Sequence, residues 1–410
     1  MTRVLILTAG YGEGHNSAAR ALHAAFAEQP GVTPELIDLF ALHAPRFNQL
    51  SRRAYLRTIN HAPAVWSGFY RWLDRSPSLP YLFKSLAGHR ARLARLIAEK
   101  RPAAIVSTYP VYAWLLQDLR ARGRLPCPHF TVVTDAITIN SLWYRAPSDG
   151  WFVTDHDSAA HLIAAGVPRE LVHVSGFPVA LAFADRPAHL QPPHPAAGLP
   201  SHDPQPQVAA IQPDSFVDPR GGSSRGGQSP FRVLYMINSG RARALETART
   251  LLLWKNWSIT FTAGRDAALQ RELQSLARGA PAHAEVLGWT DRIPELLMTH
   301  HVVISKAGGA TTQESINALC PMLVNQIVPG QEEGNYELLR RHNAGALAET
   351  PAALAEAVHR ASAHGATVWK QWRANLRNLA RPAAARDIAA RVLENCRAGS
   401  PDPAVVDLVR

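Results

Sequence analysis

Val4-Leu-Ile-Leu-Thr-Ala-Gly-Tyr-Gly-Glu-Gly-His15 is a short apolar run closed by three glycines and a histidine. The run at 4–8 is apolar almost without alternation, which is how a strand buried on both faces of a parallel sheet reads. Gly10, Gly12 and Gly14 then allow a tight turn and a close backbone approach to a ligand. An alanine-rich stretch at 17–27 follows and predicts a helix. Strand, glycine turn and helix in that order open a parallel α/β unit. The alternation continues with apolar segments at 32–38, 103–107, 130–134 and 150–154, separated by helical stretches. A sheet covered on both faces is the expected result.

The composition changes at 185–230, which carries ten prolines and five glycines, and a disordered linker or loop is expected there. The α/β pattern resumes with strand candidates at 232–237, 258–261, 284–287, 301–305 and 321–325. Helices are expected at 311–319 and over most of 354–396. The reading therefore divides the 410 residues into an N-terminal domain at 1–184, a linker at 185–230 and a C-terminal domain at 231–370, then a crossing helix and tail at 371–410. Two such domains place a ligand between the carboxyl ends of their strands.

The net charge of +11 asks for a polyanionic partner: nucleic acid, an anionic membrane or a phosphorylated substrate. Three dispersed cysteines have no metal-ligand spacing and suit a reducing compartment. No apolar run reaches the ~20 residues of a membrane-spanning helix. Residues 46–101 hold twelve Lys or Arg against Asp74 and Glu99, with eight aromatic rings among them. Arg52, Arg53, Arg57, Trp66, Tyr70 and Trp72 read as an interfacial docking segment on an anionic membrane. Single-stranded nucleic acid, or a helix pair with inward aromatics, are the rival readings.

His15 stands at a helix start, where the dipole disfavours its protonation, so a neutral imidazole is available as general base. The densest signal lies further on. Gly288-Trp-Thr-Asp, Ser305-Lys-Ala-Gly-Gly-Ala-Thr-Thr-Gln-Glu314 and Val328-Pro-Gly-Gln-Glu-Glu-Gly-Asn335 each follow a strand. Gly308, Gly309 and the helix start suit a diphosphate, with Lys306 adding charge. Glu314 suits the two ribose hydroxyls, and Gln331 and Glu332 suit sugar hydroxyls.

With these motifs, and with Thr134-Asp135 and Gly176-Phe-Pro178, the sequence resembles the monogalactosyldiacylglycerol synthase and processive diacylglycerol glucosyltransferase family, glycosyltransferase family 28. That family is related to the enzyme that adds N-acetylglucosamine to lipid I. The resemblance implies a GT-B fold of two Rossmann-like domains. It implies inverting transfer of a hexose from UDP-glucose or UDP-galactose to diacylglycerol or a related lipid, with no metal and no cofactor beyond the UDP-sugar. The place implied is the cytoplasmic face of the cell membrane, held peripherally, with no nucleic-acid partner. His15 and Asp135 then hold the catalytic positions, and Trp143 joins the acceptor side. The donor set takes in Gly14, Gly240, Arg265, Ile293, Lys306, Gly308, Gly309, Thr311, Glu314, Gln331, Glu332 and Asn335. Two positions depart from the family pattern: Asn140 stands for a histidine, and Asn238-Ser-Gly240 for a run of glycines. A UDP-sugar epimerase of the same fold and a catalytically weakened lipid- or nucleotide-binding relative are the competing expectations.

Overall fold

The computed structural model describes residues 1–43, 68, 72, 74–76, 83, 86–137, 139–186, 192, 230–238, 240–328 and 332–398. Arg52, Arg53, Arg57, Trp66, Tyr70 and Gln331, and nearly all of 185–230, lie outside the described residues. Among the described residues no helix is long and apolar enough to cross a membrane.

The first half builds one parallel sheet from β1 (Thr2–Thr8), β2 (Val32–Asp38), β3 (Ala104–Ser107), β4 (His129–Val132), β5 (Gly150–Val153) and β6 (Val172–Val174), in the order β2-β1-β3-β4-β5-β6. Among the described residues its α-helices are α1 (Glu13–Ala27), α2 (Leu39–His43), α3 (Ala87–Lys100), α4 (Val111–Ala121) and α5 (His156–Ala164). The apolar run of β1 explains itself by its two faces. Val4 and Ile6 pack with α1, whereas Leu5 and Leu7 pack with α3 and α4.

The second half repeats the plan with β7 (Phe231–Met236), α6 (Arg241–Leu252), β8 (Trp257–Thr262), α7 (Ala267–Ala277), β9 (His283–Leu287), α8 (Ile293–Thr299), β10 (Val302–Lys306), α9 (Gly309–Ala318), β11 (Met322–Gln326), α10 (Glu333–Arg341) and β12 (Gly345–Leu347). All its strands are parallel, in the order β12-β11-β10-β7-β8-β9. One face of this sheet also takes in Ala136, Phe177, Val179 and Phe183 from the first half. The two halves therefore share an apolar core at their junction.

The chain closes with α11 (Pro351–Leu379) and α12 (Ala384–Ala398). Thr350 caps α11 by accepting from the Ala353 N–H, and Pro351 fits the first helical position. Non-helical angles at Ala363, His364, Gly365 and Ala366 kink it. Trp369 and Trp372 still pack on the second half. The chain turns back only at 380–383, because the residue before Pro382 is held out of the helical region. Ala385, Ile388, Ala389 and Val392 then join the first half's core. The single crossing helix expected within 371–410 is thus the end of α11 followed by α12.

Gly176 shows why this return needs glycine. Its φ is +89°, and a Cβ there would lie 2.5 Å from Arg381 Cβ. Gly279 has φ +75° with open space around it. Gly279→Ala is expected to lose ~1 kcal/mol for the backbone alone. Gly176→Ala adds the clash with the returning chain and is expected to lose roughly 3 kcal/mol. Urea unfolding of the two variants beside the wild type checks the difference; equal losses would mean the return segment gives way freely.

Candidate functional site

In each sheet the strand order reverses once near the middle, and the crevice at that point lies at the carboxyl ends of the two strands. In the first sheet these are β1 and β3. The chain leaves β1 through a turn held by Asp38, whose Oδ2 accepts from the Gly10 N–H at 2.9 Å. Helix α1 starts at Glu13, so His15 lies within its first turn. Thr108 Oγ1 donates to the His15 carbonyl at 3.0 Å, and Thr134 Oγ1 lies 3.0 Å from His15 Nδ1. The imidazole meets Tyr109 edge-on at 5.1 Å and Trp143 at 5.8 Å between ring centres. This burial pulls its pKa down to about 4, with a hydrogen bond to Thr108 pulling the other way. His15 is therefore neutral near pH 7, with Nδ1 facing the Thr134 hydroxyl.

Asp135 follows Thr134, and its Oδ2 accepts from Trp143 Nε1 at 2.8 Å. Trp143 is 1% exposed, so it supports Asp135 and His15 from inside the domain and does not meet a membrane. Asn140 caps the following turn: its Oδ1 accepts from the Leu142 N–H at 3.0 Å, and it is buried. The residue that departs from the family pattern thus has local work to do.

In the second sheet the order reverses between β7 and β10. Asn238 leaves β7 and donates from Nδ2 to Ser305 Oγ at 2.8 Å, bridging the crevice. Gly308 precedes α9 without any side-chain cap, which leaves the first N–H groups of that helix for a ligand. A Cβ on Gly309 would lie 3.4 Å from the Thr134 carbonyl oxygen, and one on Gly14 would lie 3.8 Å from the Ala310 nitrogen. The two crevices therefore face each other, with the start of α9 against the glycine turn and Thr134.

Glu314 is brought to the same place from α9. Ser17 Oγ on α1 donates to its Oε1 at 3.1 Å. Burial pushes the Glu314 carboxyl up to about 7, against the opposing pulls of Ser17 and Arg20. Lys306 is ion-paired with Glu332, whose other oxygen accepts from the Val328 N–H at 3.0 Å. Asn335 Nδ2 donates to the Ala307 carbonyl at 2.9 Å. Glu332, expected at the sugar hydroxyls, and Asn335, expected in the donor set, brace the turn around Lys306. Thr311 is half-buried in the first turn of α9, and Ile293 packs at the start of α8. Gly240 precedes α6 with nothing within 4 Å of its Cβ position, and Arg265 lies over the Trp289 ring at 5.8 Å.

The docking segment is described only in part. Trp72 is 53% exposed. Phe83 turns inward onto Trp114, 5.1 Å between ring centres. Arg90 pairs with Asp118 at 2.9 Å and Lys100 with Glu35 at 2.8 Å, so acids of neighbouring elements offset part of the positive excess. Thr134 and Ser17 had no assigned role in the sequence. Their signal is a hydroxyl on the first half facing a titratable group, which needs the fold to be seen.

Residues 15–179 match the family model described as monogalactosyldiacylglycerol (MGDG) synthase. The chain is 24% identical over 351 residues to a processive diacylglycerol beta-glucosyltransferase of Bacillus cereus (strain B4264), covering 84% of this chain and 81% of that relative. The enzyme of the same name from Bacillus thuringiensis (strain Al Hakam) is 23% identical over the same shares of both chains. Among solved structures, Acinetobacter baumannii MurG is similar with a TM-score of 0.58 at 14% identity, over 96% of this chain and all of that one. The S. aureus MnaA–UDP co-structure gives a TM-score of 0.57 at 11% identity, over 98% of this chain and 99% of that one. The family resemblance carried by the motifs is found, and the two six-stranded parallel sheets form a GT-B fold.

Proposed function

We propose that this chain is an inverting glycosyltransferase that moves a hexose from a UDP-sugar to a lipid hydroxyl, diacylglycerol first among them, without a metal. The supporting observation is that Gly14 and Thr134, the two neighbours of His15, lie against the uncapped start of α9 where the halves meet. The names of the relatives support the lipid and the sugar transfer. In this reading Nε2 of neutral His15 takes the proton of the acceptor hydroxyl, and the oxygen forms a bond to the anomeric carbon from the side opposite the leaving group. The bond to UDP breaks, and the charge that develops on the diphosphate meets the α9 N–H groups and Lys306. Glu314 takes the ribose hydroxyls in place of Ser17. UDP-glucose and UDP-galactose are the proposed donors.

Thin-layer analysis of lipids after incubation with labelled UDP-sugars and diacylglycerol vesicles tests this. A labelled glycolipid is expected. Conversion of the nucleotide sugar without transfer would favour the epimerase reading, and no turnover of any donor the weakened-relative reading.

The same reading places the protein peripherally on an anionic, cytoplasmic membrane face through residues 46–101. Each cation near such a surface contributes ~1 kcal/mol. Reversing the charge of Arg52, Arg53 and Arg57 together is expected to weaken binding to anionic vesicles by more than about 100-fold at low salt, with a smaller loss at high salt. Vesicle sedimentation measures it, and unchanged binding would remove the segment from that role.

A further inference from the structure

The back of the junction carries positive charge that the helices beside it only partly answer. Arg186 lies there, and its Nη1 donates to the Ala318 carbonyl at 3.1 Å and Nη2 to the Met298 carbonyl at 3.3 Å. These are the carboxyl ends of α9 and α8, which attract a cation. On α11, Arg373 sets its Cζ 5.3 Å from the centre of the Trp369 ring. Arg373 Nε is buried with no hydrogen-bond partner. Arg377, one turn further along the same face, is exposed. Arg186 and Arg377 both act on Arg373 as like charges. Cys320 lies within reach, but burial pushes its thiol up to about 12, so it offers no thiolate. A cation in partly buried surroundings with an unmatched N–H is costly unless an anion completes it.

We propose that Arg373 and Arg377, with Arg186 beside them, bind a phosphate-type oxyanion at the interdomain hinge, outside the donor crevice. The planar guanidinium fork matches the oxygens of such a group, and two forks on one helix face share it. The occupant would join α11 to the segment at 184–186 and so stabilise the arrangement in which the two are packed.

The test is thermal unfolding of the full chain in rising inorganic phosphate, with ionic strength held constant by chloride, and in a parallel arm with UDP. The wild type is expected to show a saturating rise in Tm of roughly 2–4 °C with phosphate. Arg377→Gln changes an exposed side chain and is expected to remove the saturating rise while leaving the UDP-induced rise intact. Arg373→Met keeps the apolar stem, and is expected to lose the phosphate response and be at least as stable as the wild type in phosphate-free buffer. No rise in the wild type, or the same unsaturable rise in all three proteins from general exclusion of phosphate from the surface, would overturn the proposal. A wild type that responds to phosphate but not to UDP would sink the donor reading and leave the hinge site standing.

Discussion

His15→Ala is expected to lower kcat for glycolipid formation by about 10²–10⁴-fold while leaving UDP affinity near that of the wild type. The asymmetry follows from the fold. The uncapped helix start, Lys306 and Glu314 all belong to the second half, whereas the imidazole comes from α1 in the first. Removing the ring takes away the proton acceptor and leaves the proposed nucleotide seat. Thr134 should act through the same ring as a positioning residue. Its hydroxyl lies 3.0 Å from Nδ1 and holds the ring in place. Thr134→Val is expected to lower kcat by roughly tenfold with little change in UDP affinity, and Thr134→Ser to restore it. The pH dependence separates this from a merely structural effect. His15 titrates at about 4, so loss of its neutral form does not reduce kcat until the pH approaches that value, where an ordinary histidine would already limit it near 6.5. A His15→Ala protein with unchanged turnover would remove the imidazole from the chemistry.

Much of the fold is legible in the sequence, and the exceptions have physical causes. Buried parallel strands announce themselves as apolar runs, so the segments around Val4, Val233, Val303 and Leu323 were placed to within a residue or two. The sixth strands of the sheets, Val172–Val174 and Gly345–Leu347, escaped because three residues carry no measurable period. The glycine turns were found because backbone approach to a ligand demands a residue without a side chain. The partners of the titratable groups were not. Thr134 and His15 are 119 residues apart, and Ser17 and Glu314 are 297 apart, so only the packed halves bring them together. Aromatic content does not report direction: Phe83, counted in the docking segment, faces inward onto Trp114. The same holds for charge, since Arg90 and Lys100 find acids on elements far along the chain.

Donor affinity is expected to fall by about tenfold per pH unit below 7, and this acid limb should belong to Glu314. The sign follows from its surroundings. Burial holds the proton on the carboxyl up to about 7 in the ligand-free protein, where an exposed glutamate would lose it near 4.5. Two ribose hydroxyls are donors and need the carboxylate, which offers only acceptors. Binding therefore expels the proton, and each unit of acidification below 7 adds its cost. The Ser17 hydroxyl, 3.1 Å away, already rehearses the contact that the ribose would replace. Once the donor is seated, its hydroxyls stabilise the charged form, so kcat at saturating donor should stay flat across the range in which KM rises. Glu314→Gln removes the titration: its UDP affinity is expected to be about tenfold or more below wild type at pH 8 and nearly independent of pH from 5.5 to 8. The same substitution bears on folding in the opposite sense. Between 4.5 and 7 the folded wild type holds a proton that the unfolded chain has released, so this carboxyl lowers stability as the pH rises, and glutamine abolishes that slope. Calorimetric UDP titrations at several pH values decide the matter. A wild-type affinity that is flat from pH 5.5 to 8, or a Glu314→Gln protein that keeps the full acid limb, would show that the ribose is held elsewhere.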